Sequence, residues 1–327
     1  MNEDYDFSRQ SVINDLYDYY SFVYNPSKNR TIKKHPKNRE LTVTIQHHVM
    51  NAGRKPEINA YSIYKESEDC ILITEDLMNS LENVLANTGF NQNRRDWMFY
   101  VEFFLCAFHE LGHLLLGHCE ISKKMSLSAI EVNLDNLGID TSLYQALEMD
   151  ADFFAVRRLG EKVASMMKFN CIDVFGYHDH EMFYYDTLYG IRAFYYVLTL
   201  EEIKEAQRQR NISIQTGLPQ KGCQPGEQTH IHPPSLARAY NSGLLFMEHI
   251  KKYFRIKGNK KCFNDIFFTA DQVFDNYILS KETFCEMYQH VLDGTFVNTN
   301  KRLRKYYITV VRKRLKPYSR ITMSLIF

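Results

Sequence analysis

Hydrophobic and polar positions along this chain change their spacing several times, and each spacing predicts a kind of structural element. Apolar residues three and four apart predict an N-terminal helix with one buried face over Ser8–Tyr24. The segment Lys28–Arg39 holds six basic residues and no acid, which indicates a linker. Alternating or β-branched runs then predict three strands. These are Leu41–Val49, Ile58–Tyr64 and Cys70–Thr74.

Beyond Thr74 the apolar spacing becomes helical, and glycines stand near several predicted helix ends. The predicted helices are Glu75–Asn87, Trp97–Leu116 with Asp96 as its N-cap, Ser142–Leu159, Glu181–Arg210, Leu236–Phe254, Asn264–Tyr277 and Lys281–Leu292. A Gly- and Pro-rich stretch, Asn211–Pro234, predicts a long loop of a kind that is usually functional or mobile. Tyr306–Val311 has the composition of a strand.

These elements predict an α+β protein with a small N-terminal sheet and a helical C-terminal part. We expect three regions: an N-terminal helix and basic linker (1–40), a central domain (41–256), and a helical extension with a basic tail (257–327). The composition, with 45% hydrophobic and 24% charged residues, is that of a globular chain with a core.

The longest stretch without a charged residue is Leu41–Gly53, which is shorter than the roughly 20 residues that a membrane span needs. We therefore expect no membrane span. The first ten residues are acidic and lack the layout of a secretory signal. Seven cysteines without a CxxC pair suit a reducing compartment, so the expected location is cytoplasmic.

The apolar helix Trp97–Leu116 carries the candidate chemistry, an HExxH motif at positions 109–113. His109 and His113 lie about 40° apart around a helix, so both imidazoles can bind one Zn²⁺. Glu110 lies about 100° from His109, where it can reach a water molecule beside the metal without being a ligand. It is the predicted general base. Without a metal or comparable partners, these groups would cost several kcal/mol to bury among apolar neighbours.

A third ligand is predicted in the later helix, where Glu148 and Asp152 share one face. Glu148 is the candidate ligand, because two His and one Glu with an open position form a catalytic zinc site. Asp152 is expected to accept the spare N–H of a ligating histidine, whereas Asp150 should point away. An acidic, solvated helix face is the alternative interpretation.

Two other residues after the motif are possible ligands. The pattern HExxHxxGxxH needs glycine at position 116 and histidine at position 119, where this chain has Leu116 and Cys119. Cys119 is a weak alternative ligand. We interpret His118 as a helix-end residue near the negative end of the helix dipole.

The order of these motifs resembles that of the gluzincin peptidases. Besides HExxH and Glu-x-x-Ala-Asp (148–152), the chain has the strand Ile58–Tyr61 and the element His232-Pro233-Pro234 followed by Arg238 and Tyr240. This set is similar to HtpX-like and CAAX prenyl peptidases and to the soluble phage-exclusion (Lit) family. The run HELGHLLLGH at positions 109–118 also resembles the ImmA-type peptidases, although their usual Glu-x-Glu-Ala-Asn is here Glu148-x-Asp150-Ala151-Asp152.

The resemblance implies a zincin-like fold for the central domain and a substrate that adds as an extra strand along Asn59, Ala60 and Tyr61. It also implies that His232 or Arg238 stabilises the oxyanion of the reaction. The alternative is that His232 only begins the next helix and that Arg238 pairs with a carboxylate.

The predicted function is therefore that of a zinc metalloendopeptidase with one Zn²⁺ per chain and a protein or peptide substrate. The resemblance adds a role in phage exclusion or stress response. The alternative function is a catalytically silent, zinc-bearing interaction module that uses the basic tail. Nine Lys or Arg lie between positions 301 and 320, but a solvated surface explains them better than nucleic-acid binding does. The pattern indicates neither the substrate nor the oligomeric state.

Overall fold

The computed structural model describes residues 5–24, 39–46, 58–65, 67–126, 141–216, 235–254 and 295–321. They form a mixed α+β, mostly helical structure with one three-stranded sheet, in agreement with the predicted class. The predicted helices Asn264–Tyr277 and Lys281–Leu292 lie outside these residues. The loop predicted over Asn211–Pro234 is wrong for its first six residues, because the preceding helix continues to Thr216, and its remainder lies outside the described residues.

The described part of the chain is built from nine α-helices and three β-strands in the following order. They are α1 (Asp6–Tyr24), β1 (Glu40–Gln46), β2 (Ala60–Tyr64), β3 (Glu68–Thr74), α2 (Glu75–Ala86), α3 (Gln92–Leu115), α4 (His118–Ser126), α5 (Thr141–Lys168), α6 (His180–Thr216), α7 (Ser235–Lys251), α8 (Thr295–Tyr306) and α9 (Arg312–Leu315). A 3₁₀ turn, Ile172–Phe175, precedes α6, and a π-helical turn, Tyr307–Val311, joins α8 to α9.

The sheet has β3 in its centre, with β1 parallel to it on one side and β2 antiparallel on the other. All three strands were predicted, and β3 begins two residues earlier than expected. Among the described strands β2 is an edge strand, and it lies along α3. This arrangement places the edge of the sheet beside the HExxH helix.

Helix α3 forms the centre of the hydrophobic core, where α1, α5 and α6 pack around it. Its length and composition would allow it to cross a membrane, but 94% of its apolar window is buried inside the protein. That burial is typical of the core helix of a soluble protein. The predicted N-cap, Asp96, is wrong. The helix begins one turn earlier, because the side chain of Asn91 accepts a hydrogen bond from Arg94 N.

Two further expectations fail because glycine and β-branched residues are used for packing. Helix α5 does not end at Leu159 but continues through Gly160, whose missing side chain makes room for the ring of His249 on α7. The strand predicted over Tyr306–Val311 is instead a π-helical turn. Its local composition favours a strand, but burial of Tyr307 and Val311 against Leu143 and Leu147 of α5 determines the conformation.

Glu102 is an ionisable group without a partner in the core of α3. It is 0% exposed, and among the described residues neither carboxyl oxygen has a hydrogen-bond partner. Burial raises the pKa of Glu102 well above its ordinary value of 4.5. The folded state therefore holds a proton that the unfolded state releases as the pH rises above about 4.3.

We expect Glu102→Gln to become progressively more stable than the wild type as the pH rises from 4 to 8. The reason is that wild-type stability falls in this window, while glutamine does not titrate. The difference in the free energy of unfolding should grow by about 1–3 kcal/mol, measured by urea unfolding at several pH values. Parallel pH profiles of the two proteins would contradict the buried, neutral carboxyl.

Candidate metal centre

Three side chains from α3 and α5 bring their donor atoms to one point. The Nε2 atoms of His109 and His113 lie 3.0 Å apart. The Glu148 carboxylate faces both rings, with Oε2 3.2 Å from His109 Nε2 and Oε1 3.4 Å from His113 Nε2. The predicted convergence of Glu148 on the two imidazoles is confirmed. Among the described residues this is the one group of three or more such side chains that could hold a metal ion.

The close approach of α3 and α5 depends on Gly112 inside the HExxH motif. A Cβ atom at this position would lie 3.3 Å from Ala151 Cα and 3.1 Å from the ring of Phe154. Ala151 is in turn a small residue, and it stands between Glu148 and Asp152. Small residues on both helices therefore let the backbones meet where the acidic side chains must reach the histidines.

Asp152 lies behind His109, as predicted. Its Oδ1 is 2.9 Å from His109 Nδ1, although the N–H bond does not point squarely at this oxygen. Burial lowers the pKa of His109, but the hydrogen bonds and charges of Asp152 and Glu148 outweigh it and raise the pKa to about 10. The site thus attracts positive charge at the position where the three donors meet.

Arg238, from α7, forms a buried ion pair with Asp152. Its Nε and Nη2 donate to the two carboxylate oxygens of Asp152 at 2.7 and 2.8 Å, and Nη2 lies 3.8 Å from Glu148 Oε2. Burial favours the neutral form of Asp152, but the charge and hydrogen bonds of Arg238 and the contact with His109 lower its pKa to about 2. This pairing with a carboxylate is the alternative role considered for Arg238. Stabilisation of an oxyanion by Arg238 stays a prediction, and His232 lies outside the described residues.

His118 and Asp150 belong to the site, which the sequence pattern did not indicate. Gly117 adopts a left-handed φ of 83° and ends α3, so α4 starts in a new direction and His118 turns back towards the motif. His118 Nδ1 lies 2.9 Å from His113 Nδ1, and its Nε2 lies 3.1 Å from Asp150 Oδ2. As expected, His118 lies just after the end of α3 and is not among the three donors, but the turn at Gly117 brings its ring into contact with His113. Asp150 is not among the donors, as expected, but it reaches the site through His118.

These contacts determine which ring nitrogens carry protons. Burial lowers the pKa of His118 despite the opposing effect of Asp150, so its ring is neutral at pH 7. A carboxylate only accepts hydrogen bonds, so His118 donates to Asp150 from Nε2 and accepts from His113 Nδ1–H at its own Nδ1. His113 Nε2 then carries the lone pair. Asp152 faces Nδ1 of His109, so Nε2 of that ring carries the lone pair whenever the ring is neutral, as metal binding requires.

The donor set fits a zinc ion. When both rings are neutral, two imidazole lone pairs and a carboxylate oxygen face one another and repel unless a proton or a metal cation lies between them. Zinc–ligand bonds of about 2.0–2.1 Å in a tetrahedron separate the ligand atoms by about 3.3 Å, close to the 3.0–3.4 Å observed. Cys119 is not part of the group, and burial raises the pKa of its thiol, which disfavours the thiolate that binds metals.

Glu110 stands beside the donors without joining them. It is buried, and its carboxylate accepts a hydrogen bond from the hydroxyl of Ser62 on β2. The same hydroxyl lies 3.1 Å from the backbone oxygen of Glu110. Ser62 therefore links the edge strand to the predicted general base. Strand alternation alone could have placed Ser62 on the face of β2 opposite to Tyr61, but only the packing of β2 on α3 brings it to Glu110.

The edge strand presents other backbone groups than those predicted. Asn59 O accepts from Thr74 N at 3.0 Å, so odd-numbered residues of this strand face β3 and even-numbered ones face outward. Of the three predicted positions only Ala60 faces outward, and its N–H is bonded to the Asn59 side chain at 2.9 Å. The backbones of Asn59 and Tyr61 are directed to β3. Ser62 and Tyr64 are the further outward-facing positions, and substrate binding along this edge stays a prediction.

The fold and the donor set together define a mixed α+β protein with a candidate centre for one metal ion. No family model, curated protein or solved structure matches this chain. Any functional assignment therefore depends on the geometry of the site.

Proposed function

We propose that this protein is a zinc metalloendopeptidase that hydrolyses peptide bonds of a protein substrate, with one Zn²⁺ per chain. The observation that supports the proposal most is the combination of three converging donors with a carboxylate beside them. His109, His113 and Glu148 form the donor set, and Glu110 is left out of it, held by Ser62. Retention of a metal needs no such extra carboxylate, whereas hydrolysis needs a base.

A zinc ion at this position would supply Lewis-acid polarisation of the scissile carbonyl and activation of a water molecule. The chain provides the proton transfers. Glu110 takes a proton from the attacking water and passes it to the amine of the leaving peptide. Asp152 and Arg238 hold His109 and Glu148 in place, since their ion pair is buried and bidentate.

The edge of β2 is the proposed docking line for the substrate backbone. An extended peptide would pair with the outward-facing groups of Ser62 and Tyr64, and its carbonyls would then pass along the side of α3 that carries Glu110. We also propose a cytoplasmic location and, from the resemblance to phage-exclusion peptidases, a role in defence or stress response.

Metal content and chelation test the proposal. Protein purified without chelator is expected to contain about one zinc per chain and to generate new peptide termini in a bacterial protein extract. Removal of the metal with a chelator should abolish these termini, and addition of Zn²⁺ should restore them. Protein with one zinc per chain and no new termini in any extract would contradict the peptidase assignment.

A second candidate, a silent interaction module, is favoured by the surface of the C-terminal helices. The basic surface, as we call it, consists of the seven exposed residues Lys301, Arg302, Arg304, Lys305, Lys313, Arg314 and Lys316. No acidic residue is present after Asp293 to offset them. Binding of an acidic partner or nucleic acid that weakens steeply with salt, together with a lack of hydrolysis, would favour this candidate.

A further inference from the structure

The C-terminal segment, residues 295–321, reaches the candidate metal centre through the hydroxyl of Tyr307. This hydroxyl donates to Asp150 Oδ2 at 2.7 Å, the same oxygen that His118 Nε2 approaches at 3.1 Å. His118 in turn contacts His113 at 2.9 Å. Four side chains from four elements thus form one hydrogen-bonded chain that ends on a metal-binding imidazole.

The position of Tyr307 is determined by the packing of the whole segment. Its ring is 4% exposed and belongs to an apolar cluster with Leu143 and Leu147 of α5. The end of the segment is attached to the HExxH helix, since Arg320 N donates to Leu115 O at 2.8 Å. Tyr318 packs against Gly117 so closely that a Cβ there would lie 2.6 Å from Tyr318 Cβ. The segment therefore holds the turn between α3 and α4, where His118 begins.

The hydrogen bond from Tyr307 restrains a buried carboxylate. Asp150 is 5% exposed, and its Oδ2 accepts from both Tyr307 and His118. A carboxylate held by two donors keeps its orientation, and it then directs the His118 ring towards His113. Without the hydroxyl, Asp150 and His118 can turn together, and the ring of His113 loses its support. Loss of an outer partner of a metal ligand typically weakens metal binding by about 10–100-fold.

We propose that Tyr307 is a positioning residue of the metal centre, through which the C-terminal segment holds Asp150, His118 and the ligand His113 in their binding geometry. This inference rests on the proposed zinc site. It assigns to the C-terminal segment a part in building that site, separate from any role of the basic surface.

The test compares Tyr307→Phe with Tyr177→Phe in the full chain. Tyr177 is a matched control, because it is also 4% exposed and donates to a buried aspartate, Asp186, at 2.6 Å, but has no contact with the chain of hydrogen bonds described above. The zinc dissociation constant is measured by competition with a chelator. We expect it to rise about tenfold in Tyr307→Phe and to change by less than about twofold in Tyr177→Phe, while both variants lose similar thermal stability.

The absorption spectrum of bound Co²⁺ gives a second readout, since its bands respond to ligand geometry. They should shift in Tyr307→Phe and not in the control. If Tyr307→Phe does not fold, Asp150→Asn replaces it, and the same changes are expected. Wild-type protein that binds zinc together with an unaffected Tyr307→Phe would overturn this inference alone. A wild type without zinc affinity would overturn the proposed function and this inference together.

Discussion

Replacing Glu110 by glutamine is expected to slow peptide hydrolysis by about 10²–10⁴-fold while zinc stays bound. The amide keeps the size of the side chain and can still accept the hydrogen bond from Ser62, but it cannot take up a proton at neutral pH. It is not one of the three donors, so the zinc content should remain near one per chain. The rate is measured as the appearance of new peptide termini at equal metal occupancy.

Glu102→Gln is the control for this variant. It makes the same substitution on the same buried helix, two turns earlier, and leaves the donor set untouched. It should retain wild-type hydrolysis. Identical fragment patterns from wild type and Glu110→Gln would end the peptidase assignment, because Glu110 would then not be needed for proton transfer.

Replacing Glu148 by alanine should weaken zinc binding about 100-fold and abolish hydrolysis. Four-ligand zinc sites are worth about 10–16 kcal/mol, so one protein ligand accounts for roughly 3 kcal/mol. Zinc per chain is measured by atomic emission after dialysis against a weak chelator. Full retention of zinc in Glu148→Ala would show that α5 does not contribute a ligand.

Glu161→Ala on the same helix is the control, because the side chain of Glu161 is 37% exposed and pairs with Arg157 and Arg158 of that helix, away from the donor set. It should bind zinc like the wild type.

Zinc should also dissociate from the wild type as the pH falls, since ligating imidazoles must be neutral. The carboxylates that raise the pKa of His109 in the absence of metal make protons strong competitors at this site.

Much of the fold follows from local spacing. The helix Asp6–Tyr24, the three strands, and the helix that begins at Glu75 were all expected from the period of their apolar residues. Two of the errors have a cause in common, whereas at Asp96 a second local cap, Asn91, starts the helix earlier. At Gly160 and at the β-branched run before Arg312, a local preference was overruled by packing against a distant element.

The candidate site likewise has a part that the sequence predicts and a part that it does not. His109, Glu110 and His113 lie within one helical turn, and Glu148 and Asp152 within another, so their relative directions could be calculated from the helical period. That Glu148 meets the imidazoles at 3.2–3.4 Å depends on the contact between Gly112 and Ala151, which no spacing along the chain specifies.

Sequence alone thus predicts the chemistry of the candidate metal ligands and the faces on which they lie, because helical geometry relates residues that are close in the chain. Only the tertiary structure brings Ser62, His118 and Tyr307 to the site. Ser62 comes from an edge strand, His118 from a reversal at Gly117, and Tyr307 from a segment more than 150 residues after Asp150. Their contacts arise because apolar surfaces far apart in the chain pack together, and the local hydrophobic pattern does not specify which surfaces meet.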